Sequence, residues 1–398
     1  MVHDDGPLAD GHPGVFRSID GGMPLTRRDL GHAAGAVPSG TREAATTAQR
    51  HGLLPWLVVL LAGSVSVAVV VAVGSVARVP GSGLAALDPW VPWLLPTARL
   101  VGDLAAAATV GCLVAAAVLL TKRGFLTPAG YRWLRRATWP AVAWGASALL
   151  LLPGLLVEFL NTDLSQVSFR ALVAFVRDTP FGGAQAAAAA LATVVAVGSR
   201  MVLTTAGVRV LLVLALFAVV PPVVAEYAEA DGTRVPVAVA ATGMVLHVLA
   251  ALVWSGTLAA LLLTRLSAGD LVTAVRRYSR VAPVLVLVVG GSGLLTAAAD
   301  LEAPGQWLQT AYGRVVLLKI AGFAALVAVG WWHRRRTLSA LAAGQAGAFR
   351  RIAAVELLLF AITFGLAVGL SRTPAPVHEP AEIEMSQPAL PAPLTALS

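Results

Sequence analysis

Residues 236–264 read PVAVAATGMVLHVLAALVWSGTLAALLLT, a run of apolar and small side chains with a single ionisable group, His247. The apolar residues are continuous rather than alternating. At about 1.5 Å per residue the run is long enough, as a helix, to cross the ~30 Å of hydrocarbon in a bilayer. Lipid offers no hydrogen-bond partner to a bare amide, so a segment of this kind is either a helix or part of a closed barrel, and the lack of alternation selects the helix.

Working outward, comparable runs occupy residues 55–77, 94–120, 138–160, 181–199, 208–225, 281–299, 312–332 and 352–370, the fourth of them rich in alanine. The expected fold is therefore all-α, a polytopic transmembrane helix bundle of about nine spans. Composition agrees: 57% of the residues are hydrophobic and 13% charged, with a mean hydropathy of +0.78, well outside the range of soluble globular domains. The lone cysteine, Cys112, lies within an apolar run, which excludes a disulfide framework within the chain and any Cys-x-x-Cys motif and leaves helix packing as its role.

The net charge of +8 does not point to nucleic acid, because the basic residues fall in short segments between apolar runs, where they orient helices. Arg17, Arg27, Arg28, Arg42 and Arg50 precede the first run. Further basic connections follow at 122–136, 200–209, 265–280 and 334–351. The intervening connections carry Asp88, Asp163, Asp178, Glu226, Glu229, Asp231, Asp300 and Glu302 instead. This alternation predicts an N-terminus inside the cell and a C-terminus outside, in a plasma membrane. Residues 1–54 lack apolar periodicity and a signal-peptide core, so a disordered cytoplasmic leader is expected before an uncleaved signal anchor. Residues 55–235 would form an N-terminal transmembrane half of five spans and 236–371 a second half of four. The Pro-rich stretch 372–398, with His378 and Met385, reads as a disordered external tail.

Ionisable groups inside spans cost a few kcal/mol or more and usually serve a purpose. Asp103, His247, Lys319 and Glu356 are such groups, with Glu158 nearer a span end. Counted from the outer helix ends, Asp103, His247 and Lys319 lie roughly 14, 16 and 10 Å deep, all within the outer half of the bilayer. Together with Glu356 they form a candidate intramembrane polar cluster, in which Asp103 and Lys319 can neutralise each other and His247 remains a neutral ligand or proton carrier. Packing is the competing reading for each. Met244 and His247 are three apart and share a helix face that continues through Ala251 and Trp254. A thioether beside an imidazole suits Cu(I), whose softness favours sulfur and nitrogen, although the same spacing also serves plain packing. Glu356 is expected to meet His333 and Arg334 at the inner end of the preceding span. Gly290, Gly291, Ser292 and Gly293 form a small-residue strip that allows close helix approach.

The pieces HVLAALVWSGTLAALLL (247–263), RRYSRVAPVLVLVVGGSGLLTA (276–297), QTAYGRVVLLKIAGFAALVAV (309–329) and RRIAAVELLLFAITFGLAVGLSRTPAP (350–376), in this order, resemble the copper resistance protein D family. The segment ARLVGDLAAAATVG (98–111) around Asp103 adds to the likeness. The resemblance implies handling of copper across the plasma membrane, with a periplasmic or extracytoplasmic copper-binding partner. It places His247, Trp254, Tyr312, Gly313, Arg314, Lys319 and Glu356 at recurrent family positions. Similar sequences are often joined to a module that looks like a cytochrome c oxidase assembly factor, and here the chain stops after the first module.

The expected function is copper transport or delivery, with copper as the metal, met from the outside by Met244 and His247. A non-transporting assembly or scaffold role for a respiratory oxidase is the alternative. No haem is expected, because bis-histidine ligation needs two facing intramembrane histidines and only His247 is clearly embedded. Without a phosphate loop, a serine elbow or paired catalytic carboxylates, an enzyme is not expected.

Overall fold

The computed structural model describes residues 57–58, 60–72, 91–160, 162–228, 236–301, 304–342, 346–371 and 373. The expected leader, nearly all of the expected tail, and Asp88, Glu229, Asp231 and Glu302 lie outside the described residues. Among those described, every long element is a helix: α1 (Leu60–Ala72), α2 (Val91–Val114), α3 (Pro128–Arg136), α4 (Thr138–Leu160), α5 (Phe169–Asp178), α6 (Pro180–Met201), α7 (Thr205–Ala228), α8 (Val237–Leu263), α9 (Ala268–Asp300), α10 (Gln306–Gln309), α11 (Ala311–Ala342) and α12 (Ala346–Leu370). Eight helices, within or spanning α2, α3–α4, α6, α7, α8, α9, α11 and α12, are long and apolar enough to cross a membrane. The described part of the first expected span is the shorter α1.

Two helices outrun a bilayer. α9 has 33 residues and α11 has 32, about 50 Å each at the helical rise. Arg276, Arg277, Arg280 and Arg334–Arg336 therefore sit on helical extensions rather than in loops. Arg335 lies over the Trp331 ring (3.8 Å) and Arg336 over Trp332 (4.9 Å), an arrangement in which an aromatic body and a cation together mark an interface.

Short elements cap the same end. A π-turn, Ala115–Leu119, closes α2 and leads into a two-residue hairpin, Thr121–Lys122 with Phe125–Leu126. Its turn has positive φ at Arg123 (49°) and Gly124 (82°), as tight hairpins require. At the opposite end Ser168 and Thr179 cap α5 and α6, Pro128 and Pro180 occupy first-turn positions that need no N–H donor, and at this end Thr127 and Ser267 cap α3 and α9 through their hydroxyls.

The basic connections converge at this end of the bundle. The Arg277 guanidinium donates to the carbonyls of Val118 (2.7 Å), Leu119 (3.0 Å) and Thr121 (3.1 Å), satisfying acceptors that the end of α2 leaves open. Lys122 pairs with Asp270 at 2.9 Å. The Trp133 indole donates to Thr264 (3.1 Å), and Arg200 donates to Thr138 (2.9 Å).

α2 is the central strut. It packs on α4, α7 and α8. Its closest approach is to α8, where a Cβ on Gly111 would run into the Gly256 backbone and one on Gly256 into the Ala107 carbonyl. Glycine is required at both positions for van der Waals reasons, and such contacts supply the attraction between helices that lipid cannot. α1 crosses α12, where Ser66 donates to the Ala361 carbonyl (2.7 Å) and Gly365 leaves room for the Ser66 and Val69 backbone and side chain. The two transmembrane halves expected from the sequence thus pack as one unit. Cys112 is buried in its core.

Candidate metal site

α8 carries His247 about 15 Å from its N-terminal end and turns the imidazole toward α9. There Nδ1 lies 3.0 Å from the Val289 carbonyl and 3.1 Å from Ser292 Oγ. A carbonyl oxygen only accepts, so Nδ1 carries the proton. In the neutral ring the lone pair is then on Nε2. The small-residue strip makes this possible: Gly293 lies against the ring, Gly290 against Phe323, and Ser292 supplies its hydroxyl while also donating to the Val288 carbonyl. Gly291 faces open space.

Lys319 of α11 acts electrostatically on His247. Met244, half-buried, sits one turn before His247 on the same face of α8. Among the described residues no three His, Cys, Asp or Glu side chains gather into a cage. The arrangement can therefore offer an incoming soft ion one fixed imidazole nitrogen, with a thioether one turn away.

Asp103 takes its countercharge from its own helix. Arg99, one turn before it, acts on Asp103 and forms an ion pair with Glu226 of α7, and Glu226 also acts on Asp103. Arg99 went unnoticed as an intramembrane charge, although its four-residue spacing from Asp103 is visible in the sequence. Glu158 lies in the last turns of α4, partly exposed.

Toward the C-terminal end of α8 from His247 lies an aromatic layer. Trp254, two turns further along α8 and 5% exposed, stands edge-on to Phe360 (4.7 Å between centroids) and to Phe323 (6.3 Å). Beyond it, Glu356 of α12 and His333 of α11 form a buried pair, with Nδ1 to Oε1 at 2.9 Å. Phe349 leans on the His333 ring at 5.2 Å, and Gly330 leaves space beside the carboxylate. Tyr278 of α9 has its hydroxyl beside the Trp254 indole and within electrostatic reach of Glu356. The candidate groups are thus spread along the bundle: His247 and Lys319 together, Asp103 with Arg99 and Glu226, and Glu356 with His333.

Tyr312, Gly313 and Arg314 open α11. A Cβ on Gly313 would strike the Gln306 and Trp307 carbonyls, so this glycine fixes how α10 folds onto α11, and Thr310 caps the turn by accepting from the Gly313 N–H (2.9 Å). Tyr312 packs with Trp307 against Ala297, Leu301 and Val316, tying the C-terminal end of α9 to the N-terminal end of α11.

No curated protein and no solved structure matches this chain. In this multi-pass helical membrane protein, residues 272–370, about a quarter of the chain, from the first turns of α9 to the end of α12, match the family described as copper resistance protein D.

Proposed function

We propose that the protein moves or delivers copper across the plasma membrane, receiving the ion from the outer side at Nε2 of His247 with Met244 as a second, softer contact. The observation that carries this reading is the hydrogen bond from Nδ1 to Val289. Metal-binding histidines characteristically donate their other ring N–H to a carbonyl or carboxylate, which fixes the ring and directs the remaining lone pair at the ion. α8 itself precedes the residues that match the copper resistance family, while the carbonyl and hydroxyl that orient His247 belong to them.

Copper here is cargo, and no bond-making chemistry on a substrate is part of the reading. The protein would be neither an enzyme nor a haem carrier. An extracytoplasmic copper-binding protein would hand over or accept the ion at the outer end. The aromatic layer around Trp254 would then keep the outer entrance from opening straight through the bundle.

The test is cellular. Cells carrying His247→Ala, with the protein still inserted and accumulating, should change in total copper or in copper tolerance relative to wild type. Unchanged copper together with lost respiratory oxidase activity would contradict this reading and support an assembly role.

A further inference from the structure

Glu356 is 5% exposed, on a helix long and apolar enough to span a bilayer, and among the described residues its ion-pair partner is His333, a group that is not permanently charged. A carboxylate buried in a medium of low dielectric constant demands a positive charge nearby or else protonation. With a neutral imidazole beside it, the pair carries one net negative charge. One added proton gives either an imidazolium–carboxylate pair or a neutral acid beside a neutral ring, and both have zero net charge.

The surroundings suit an exchangeable proton. His333 Nε2, in this cluster, is a buried side-chain polar atom without a hydrogen-bond partner among the described residues. Buried polar groups left open in this way commonly face water or an ion. Tyr278 from α9, whose hydroxyl lies beside the Trp254 indole of α8, is the titratable group within electrostatic reach of Glu356, and Phe349 and Gly330 lie against the pair. Helices α9, α11 and α12 thus meet at one buried carboxyl–imidazole pair. It lies inward of Trp254, which is itself about 10 Å inward of His247 along α8.

We propose that the Glu356–His333 pair is a proton-binding site coupled to copper movement, so that the protein moves protons together with its cargo. The inference rests on the reading of the chain as a copper carrier. It adds the inner half of the path: His247 receives the ion outside the aromatic layer, and the pair inside that layer gains or loses one proton as the ion passes. Charge balances in either sense. A monovalent ion and a proton moving in opposite directions transfer no net charge, and moving together they transfer two.

The experiment uses the full chain purified into proteoliposomes, with Cu(I) held by a weak chelator and a pH-sensitive dye inside. For one proton per ion, the steady-state copper gradient should change about tenfold for each unit of imposed pH gradient. The dye should report proton movement that starts with copper addition, and its sign distinguishes exchange from cotransport. Glu356→Gln, which keeps a hydrogen-bond acceptor for His333, should abolish proton movement and flatten the pH dependence. His333→Gln should do the same if Glu356→Gln folds poorly. Copper movement without protons in wild type, or protons still moving in both variants, overturns the inference and leaves the proposed function standing. A wild-type protein that moves no copper overturns both.

Discussion

A Cβ on Gly293 would lie 3.2 Å from Cε1 and 3.4 Å from Nδ1 of the His247 imidazole, so the glycine on α9 sets how close the ring can rest. Gly293→Ala should push the ring by a few tenths of an ångström and lengthen its bond to Val289. Copper affinity should fall several-fold while the protein accumulates normally. Gly291→Ala, which faces open space, should leave it unchanged. Isothermal titration of the purified variants with chelated Cu(I) separates the two cases, and equal effects at both positions would show that crowding of the ring is irrelevant.

Ser292→Ala removes one of two partners of His247 Nδ1 but keeps the Val289 carbonyl. Loss of an orienting group around a metal ligand typically costs ~10–100-fold in affinity. With one acceptor left, the effect should sit near the lower bound, about tenfold, measured by competition against a copper chelator.

Much of this was legible in the sequence. Ionisable residues stand out in an apolar chain, which is why His247 and Glu356 could be singled out, and the latter's neighbour His333 could be named from helix order alone. What could not be read was which face each helix turns to which neighbour. Arg99 supplies the countercharge of Asp103 from one turn away on the same helix, and what helix order alone does not reveal is that Glu226 of α7 joins them. Gly111 and Gly256 carry no sequence mark at all, since their meaning depends on two helices nearly a hundred and fifty residues apart coming into contact. The basic connections looked like loops because charge ends an apolar run without ending a helix, and so the inner turns of α9 and α11 were missed.

Gly111→Ala or Gly256→Ala forces α2 and α8 apart at their closest point. Overpacking of this kind costs about 1–3 kcal/mol, and more where the obstacle is backbone. Both variants should lose thermal stability in detergent, by fluorescence-detected size exclusion, whereas Gly269→Ala, with nothing near it, should not.

Arg277→Ala strips three carbonyls at the end of α2 of their donor. Hydrogen bonds to a charged group contribute about 1.5–3 kcal/mol at most, and water at this end recovers part of that. The melting temperature should drop measurably, and Arg277→Lys should restore part of it but not all, because an ammonium lacks the guanidinium's planar fork.

Arg99→Ala leaves Asp103 and Glu226 facing each other without their shared cation. It should reduce accumulation more than Asp103→Asn does, and the double variant should recover part of the loss. Quantitative blotting of membrane fractions reads this directly, and a double variant no better than Arg99→Ala alone would deny the coupling.

The most direct measurement is the copper content of the purified full-length protein after loading with Cu(I) and desalting, beside that of His247→Ala purified in the same way. Bound copper in the wild type that is lost from His247→Ala, with both proteins folded and monodisperse, is the expected result. Equal copper in the two, or none in either, would contradict the assignment of His247 Nε2 as the group that receives the ion.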